Sequence, residues 1–204
     1  MKIKTELKKS FLAGVLVAIG GTVYLSCQNK IVGAFLFSVA LFCICMENLS
    51  LYTGKVCYFL KAKDKGNFLA ELLVCLVGNS CAVILCALIL KSNSSHIKEI
   101  SGAMCALKLD KSFSRIFVDS IFCGILIYLA VNIYKERNSL FGIFLCIPVF
   151  ILSGFEHCIA DTFYFFLTEN LMFSKMIIFI LITILGNTIG GLVFPFIRGH
   201  AKSK

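Results

Sequence analysis

The chain has 204 residues, of which 59% are hydrophobic and 15% charged, and its mean hydropathy is +0.92. Because soluble domains average about 25% charged residues, this composition excludes an ordinary soluble protein and indicates a polytopic membrane protein. The formal net charge of +9 comes from lysines scattered over polar loops, a pattern that membrane topology explains better than nucleic-acid binding.

Six apolar segments follow one another along the chain, and we expect an all-α fold with six transmembrane helices in a single domain over residues 1–204. A helix needs about 20 apolar residues to cross the hydrocarbon core, so this length allows about six crossings with short loops. A lysine-rich, amphipathic lead-in over residues 1–9 precedes the first segment, which lacks a small-residue cleavage pattern and should stay as a helix. The predicted helices cover residues 10–27, 31–46, 67–90, 116–133, a fifth from about 140, and 176–197.

Predicted helix two contains the first interruption. After Met46 the chain turns polar, and it returns to a weak apolar run only at residues 56–60. A broken helix explains this pattern, because non-helical backbone at membrane depth is tolerated where it is buried or lines a cavity. The alternative that stays open is that helix two simply ends at the polar patch. This patch consists of Glu47, Asn48, Ser50, Tyr52, Thr53 and Gly54.

Lysine and arginine are unevenly distributed over the two sides of the six predicted crossings, with thirteen on the side of the N-terminus and seven on the other. This bias places both termini in the cytoplasm, and we expect a multi-pass protein of the inner (plasma) membrane. Five of the seven outer cations lie in the longest polar connection, residues 91–115. They would form a cationic outer vestibule that concentrates anions. The mildly apolar middle of this connection, residues 100–109, predicts an interfacial segment.

The fifth predicted helix carries ionisable residues where hydrocarbon should surround it. Glu156, His157 and Asp161 interrupt an apolar run, and ionisable residues inside a membrane segment indicate a functional site. The spacing of Phe150, Gly154, His157 and Asp161 is helical, so a continuous helix would place all four on one face. Gly154 would allow the helix to kink. The alternative is a histidine that only forms a hydrogen bond between helices.

The two halves of the chain resemble each other. Gly78-Asn79 in predicted helix three is echoed by Gly186-Asn187 in predicted helix six. Three helices per half would place two repeats, about 10–90 and 113–197, in opposite orientations, as in transporters built from inverted repeats with discontinuous helices. Glycine and asparagine also mediate ordinary helix packing, so Asn79 and Asn187 are compatible with either interpretation.

Metal and enzyme chemistry are disfavoured. The eleven Cys contain no Cys-x-x-Cys pair, and most lie in apolar runs, where Cys behaves as a small hydrophobic residue. We therefore expect no metal and no cofactor. A membrane enzyme that uses His157 with Glu156 or Asp161 is a weaker alternative, as is a structural scaffold.

Several of these residues resemble the formate/nitrite transporter family of formate, nitrite and hydrosulfide channels. The most specific match is residues 153–161, which read SGFEHCIAD and are close to the family's SGFEHSIAN motif. Residues 51–54 resemble the family's L-F-T-G loop in an interrupted second helix. Further matches at residues 124–126 and 186–191 follow in the expected order, so that the resemblance covers nearly the whole chain.

The resemblance implies an aquaporin-like protomer with interrupted helices 2 and 5, a homopentamer in the lipid bilayer and one pore per protomer. It also implies that Thr53 faces His157 between two apolar constrictions. These constrictions would be Phe37 with Leu51 toward one end, and Phe150 with the Leu51 loop toward the other.

A lysine near the outer entrance is a further implication of the resemblance, with Lys111 as the first candidate and Lys108 as the second. Glu156 is also a candidate pathway residue, although on a helix it would point to a different face from His157 and would orient backbone or loop groups. The last Asn of the family motif is Asp161 here, which adds a negative charge near an anion path unless this acid is protonated or paired.

Together these residues favour a channel or transporter for a small monovalent anion such as formate, nitrite, hydrosulfide or a short monocarboxylate. Because a bare anion is costly to dehydrate in hydrocarbon, passage as the neutral acid, with proton exchange at His157, is one route. The alternative function is an aquaporin-like channel for small neutral solutes, although the sequence lacks paired Asn-Pro-Ala loops.

Overall fold

The structure is a computed structural model that describes residues 2–169 and 171–201. Every regular element in these ranges is helical, which confirms the predicted all-α class. The helices are α1 (Lys2–Ser26), α2 (Lys30–Met46), α3 (Tyr52–Lys55) with a following 3-10 helix (Val56–Lys61), α4 (Lys65–Asn93), α5 (Ser95–Leu109), α6 (Phe113–Arg137), α7 (Phe141–Leu152), α8 (Cys158–Leu167) and α9 (Phe173–Ala201).

Four helices in the described part of the chain, α1, α4, α6 and α9, are long and apolar enough to cross a membrane. The other apolar helices are shorter: α2 has 17 residues, α7 has 12 and α8 has 10. The first helix begins earlier than predicted, because α1 starts at Lys2 and includes the lysine-rich lead-in. Its lysines are good helix formers, and neither Gly nor Pro separates them from the apolar run.

α2 and α7 end in the same way, with one residue in the left-handed region of backbone conformation. Asn48 has a φ of 51° and Gly154 a φ of 68°. The N–H of Leu49 donates to the Ile44 carbonyl at 2.9 Å, and the N–H of Phe155 donates to the Phe150 carbonyl at 3.1 Å. These bonds define Schellman motifs, in which asparagine or glycine accommodates the positive φ at the end of a helix.

The expectation that Phe150, Gly154, His157 and Asp161 line one face of a continuous helix is wrong. The chain leaves α7 before Gly154 and begins α8 only after His157. The positive φ of Gly154 redirects the backbone at this point, a conformation that glycine adopts without steric cost. Asp161 is therefore carried by a different helix from Phe150.

Two pairs of long helices, α1 with α4 and α6 with α9, pack through glycines. A Cβ added at Gly78 would lie 2.7 Å from the Cβ of Ser10, and one at Gly186 would lie 2.8 Å from the Phe117 carbonyl oxygen and would collide with Ser120. Small residues let helix backbones approach closely in a membrane, where lipid supplies no hydrophobic drive for association. The two glycines occupy corresponding places in the two halves of the chain.

Replacing Gly186 with Ala should destabilise the α6–α9 pair, because the new Cβ would overlap the backbone of α6. Overpacking of this kind costs about 1–3 kcal/mol, and we expect a lower melting temperature of the purified protein in detergent. Gly199→Ala is the matched control, since a Cβ at Gly199 meets no described atom within 4 Å. Equal melting temperatures of the two variants would contradict the close approach.

Candidate functional site

Asn79 on α4 holds the segment between α2 and α3 in place. Its Nδ2 donates to the carbonyl oxygens of Ser10 at 2.7 Å and Ser50 at 3.0 Å. Its Oδ1 accepts the N–H of Tyr52 at 2.8 Å. One buried amide thus satisfies two polar backbone groups of this segment, which would otherwise be costly to bury, and ties them to α1.

Asn187 on α9 has the equivalent role at the segment between α7 and α8. Its Nδ2 donates to the carbonyl oxygens of Ser120 and Glu156, both at 2.8 Å. Its Oδ1 accepts the N–H of Cys158 at 2.9 Å. In both halves the amide therefore joins a long helix, a loop carbonyl and the first N–H of a short helix, so the sequence echo corresponds to a repeated arrangement of hydrogen bonds.

His157 and Thr53 meet in the interior, each from the start of a short helix. The Nε2 of His157 lies 2.9 Å from the Oγ1 of Thr53, and its Nδ1 accepts the N–H of Ala160 at 3.2 Å. Because Nδ1 is an acceptor, a neutral ring carries its hydrogen on Nε2 and donates it to the threonine oxygen. Thr53 is fully buried and His157 is 4% exposed.

Two phenylalanine rings cover His157. Phe150 stacks on the imidazole with ring centroids 5.9 Å apart, and Phe37 meets Phe150 edge-on at 6.3 Å. The expected pairing of Phe37 with Leu51 is therefore wrong, because Leu51 lines a different cavity. The reason is position along the chain: Phe37 lies in the middle of α2, whereas Leu51 follows the break at its end.

Two cavities lie at opposite ends of the bundle. A cavity of about 220 Å³, the His157 cavity, is lined by His157 and by Tyr24 near the end of α1. A second cavity of about 640 Å³, the Leu51 cavity, is lined by Leu51 and by Glu6 near the start of α1. At a rise of about 1.5 Å per residue, Glu6 and Tyr24 are separated by about 27 Å along the helix. The histidine is therefore reached by a cavity from one end.

The wall of the His157 cavity carries a buried group of opposite charges. Lys108 on α5 contacts the carboxylates of Glu156 and Asp161, the second at 2.9 Å. Lys111 lies 2.6 Å from the Glu156 carboxylate. The side chain of Lys108 is 13% exposed and that of Lys111 is 25% exposed. Lys108, the second candidate for the entrance lysine, is therefore the more buried of the two.

Glu156 does not face away from this cavity, and the expectation that it points to a different face from His157 is wrong. Its fully buried carboxylate lines the cavity and binds both lysines, while its backbone carbonyl accepts the bond from Asn187. The expectation assumed helical geometry, in which neighbours in sequence point about 100° apart. The extended backbone between α7 and α8 instead brings Glu156 and His157 to the same cavity.

Asp119 on α6 escapes detection from the sequence, whereas its partner Arg115 is one of the five cations of the predicted outer vestibule. The Asp119 carboxylate is 2% exposed and contacts Lys111 at 2.8 Å and Arg115 at 2.9 Å. The spacing of Arg115 and Asp119, four positions apart on one helix, is the signal that could have revealed Asp119. The described residues include no group of three or more His, Cys, Asp or Glu arranged to hold a metal ion. We define the lysine–carboxylate cluster as Lys108, Lys111, Arg115, Asp119, Glu156 and Asp161.

The Leu51 cavity has an ion-pair group of its own. Lys55 on α3 lies 2.8 Å from Glu6 on α1 and 2.9 Å from Glu71 on α4. These contacts tie the short helix to both long helices beside it. The sequence gives no sign of this group, because residues at positions 6, 55 and 71 meet only through the packing of three helices.

The apolar helical fold and its buried histidine–threonine pair between two cavities define an integral membrane protein of the transporter and channel class. The Formate/nitrite transporter family matches residues 1–198. The chain belongs to this family, which confirms the resemblance found in the sequence motifs.

Individual relatives agree with this assignment. A Formate-nitrite transporter of Plasmodium malariae is 28% identical over 234 residues, covering 93% of this chain and 74% of that protein. The Formate channel FocB of Escherichia coli (strain K12) is 27% identical over 175 residues, covering 74% of this chain and 62% of that one. The solved structure of a pentameric formate channel with formate bound has a TM-score of 0.84 and 21% identity, covering 99% of this chain and 98% of that one. This last similarity shows a common fold.

Replacing Asn187 with Ala should destabilise the protein, because the Glu156 carbonyl and the Cys158 N–H would lose their buried partner. Each buried polar group left unsatisfied costs about 1–3 kcal/mol, and the loss is measured as a fall in melting temperature in detergent. Asn93→Ala is the control, since this exposed amide bonds only to groups at the end of its own helix. A fall no larger than in the control would contradict the proposed role of the amide.

Proposed function

We propose that this chain is a transmembrane channel or transporter for small monovalent anions such as formate, nitrite, hydrosulfide or short monocarboxylates. The observation that carries the proposal is the 2.9 Å contact of buried Thr53 with His157, which lines the His157 cavity. An imidazole and a hydroxyl offer hydrogen bonds to a small anion where the surroundings are otherwise apolar. The relatives named as formate channel and formate-nitrite transporter support the same class of substrate.

The proposed topology has six crossings, in which α2 with α3 and α7 with α8 form two discontinuous ones. With 17 and 12 residues, α2 and α7 are about 26 and 18 Å long and fall short of a hydrocarbon core of about 30 Å. Three crossings per half give inverted repeats over about 10–90 and 113–197 in a single channel domain. The equivalent hydrogen bonds of Asn79 and Asn187 support this repeat.

The protein is proposed to lie in the inner (plasma) membrane with both termini in the cytoplasm. The excess of lysine and arginine on the N-terminal side of the six crossings supports this orientation. In this orientation the His157 cavity faces outward and the Leu51 cavity faces the cytoplasm.

A homopentamer with one pore per protomer is the proposed assembly. Large apolar side chains are exposed along the long helices, among them Leu73 on α4 and Leu181 on α9, and such surfaces are suited to lipid or to a neighbouring subunit. The similar solved structure that is described as a pentameric formate channel supports this state.

The proposed path begins at the lysines. Lys111 and Lys108 attract the anion to the His157 cavity, and the rings of Phe37 and Phe150 exclude water and larger ions beyond it. An anion that crosses these rings loses its hydration shell at a large cost in free energy. Transfer of the substrate as the neutral acid would reduce this cost.

The central step is proposed to occur between His157 and Thr53. The Nε2–H of the imidazole and the threonine hydroxyl replace part of the lost hydration, and the imidazole is the group proposed to exchange a proton with the substrate. Beyond this pair, Leu51 forms the second apolar constriction at the Leu51 cavity, from which the substrate leaves toward the cytoplasm.

One observation favours the alternative of a channel for small neutral solutes. The cations and carboxylates of the lysine–carboxylate cluster are equal in number, so that the cluster is formally neutral when every member is ionised. An aquaporin-like channel would conduct water or glycerol regardless of anions. Stopped-flow light scattering of proteoliposomes, compared with labelled formate uptake, separates the two functions.

His157→Asn should change the pH profile of formate uptake into proteoliposomes, because asparagine retains a hydrogen-bond donor but does not titrate. His96→Asn is the matched control, since His96 is exposed on α5 and lies outside the proposed path. A profile identical to that of the unmodified protein would argue against a titrating role for His157.

The uptake rates of formate, nitrite, hydrosulfide, acetate and lactate should depend on the size of the anion, because each must pass the apolar rings. We expect faster uptake of formate and nitrite than of lactate, because Phe37 and Phe150 meet edge-on with centroids 6.3 Å apart and leave little room. Uptake is measured in proteoliposomes with the pH varied separately on each side. Equal rates for all five anions would refute selection by these rings.

A further inference from the structure

Asp161 differs from the other two carboxylates of the lysine–carboxylate cluster in the partners that it has. Asp119 contacts two cations, and both of its oxygens are bound. Glu156 likewise binds one lysine through each oxygen. Asp161 contacts one cation, Lys108, through its Oδ1 at 2.9 Å; Lys108 is shared with Glu156, whose carboxyl group lies beside that of Asp161. The Oδ2 of Asp161 is buried and has no hydrogen-bond partner among the described residues.

The balance of charge in the cluster makes the unpaired oxygen of Asp161 important. Three cations face three carboxylates, so an anion that enters the His157 cavity adds one uncompensated negative charge next to the cluster. In a buried site such a charge is costly unless another charge changes with it. Binding one proton to one carboxylate would restore the balance.

Asp161 is the carboxylate best placed to bind this proton. Protonation of Asp119 or Glu156 would weaken two contacts with cations, whereas protonation of Asp161 at Oδ2 leaves its single contact with Lys108 in place. Asp161 also lines the His157 cavity, so its protonation removes a negative charge beside an anion inside the cavity.

The other groups around Asp161 do not offer a second cation for its Oδ2. The start of α8 favours the ionised form through the helix dipole, an effect that is weaker than the burial of an unpaired charge. α9 carries no titratable side chain between residues 176 and 197. The titratable and charged groups on the neighbouring elements are Tyr24 on α1, Cys75, Cys86 and Lys91 on α4, Cys105 and Lys108 on α5, Lys111 after it, Cys123 on α6, Glu156 and His157 before α8, and Cys158 and Tyr164 on α8.

We propose that Asp161 takes up a proton from solvent when a small monovalent anion occupies the His157 cavity, so that anion binding and protonation of Asp161 are linked. This inference rests on the proposed function, and it assigns a proton site in the lysine–carboxylate cluster in addition to His157. Because linkage is reciprocal, protonation of Asp161 raises the affinity for the anion to the same extent as the anion raises the affinity for the proton.

The test measures proton uptake on addition of sodium formate to the purified protein in weakly buffered detergent solution at pH 7. With formate at saturation, the unmodified protein should take up protons, at most about one per protomer, and Asp161→Asn should take up about none. Asp161→Ser is a second non-titrating variant if the asparagine variant does not assemble. Asp110→Asn is the matched control, because it makes the same chemical change at an exposed residue on the same side of the protein, and it should retain the uptake.

Equal proton uptake by the unmodified protein and both Asp161 variants would overturn the proposal and leave the anion-channel function intact. Absence of proton uptake by the unmodified protein, at formate concentrations that its flux in proteoliposomes shows to be saturating, would also overturn it. A different result would contradict the proposed anion-channel function: the absence of formate flux through the unmodified protein at every pH. Uptake that persists in His157→Asn but is lost in Asp161→Asn would support the assignment to the carboxyl.

Discussion

The structure depends on satisfying the backbone of two buried segments, one between α2 and α3 and one between α7 and α8. Within a membrane no water replaces a lost helical hydrogen bond, so each free N–H and C=O needs a partner from the protein. Asn79 and Asn187 supply these partners, each accepting the first N–H of a short helix and donating to the loop before it. The Schellman motifs at the ends of α2 and α7 satisfy the preceding carbonyls.

The central pair follows from these two ordered segments. Thr53 lies in the first turn of α3 and His157 caps α8, so each side chain is directed by a short helix whose start a buried amide holds in place. Because the two residues come from different halves of the chain, their contact requires both halves to pack together. The close helix pairs, α1 with α4 and α6 with α9, therefore support the site although none of their glycines touches it.

Opposite charges lie in the wall of the His157 cavity in an arrangement that limits the cost of burying them. Lys108 and Lys111 hold Glu156, and Asp119 is held by Lys111 and Arg115. Buried charges of this kind are tolerated when each is paired and hydrogen-bonded. Asp161 is the exception, with one oxygen unpaired, and this makes it the member of the cluster whose charge is least supported by its surroundings.

The sequence by itself determined the membrane class, the helical fold, the family and the residues His157, Thr53, Asn79 and Asn187, because hydropathy, short motifs and repeats are properties of the chain read in order. Only the tertiary structure decided that Phe37 joins Phe150, that Glu156 lines the cavity, and that Asp119 completes the charge cluster. The physical reason is that these contacts join residues far apart in the chain. The positive φ of Gly154 and the packing of separate helices bring them together, and residue spacing does not encode either.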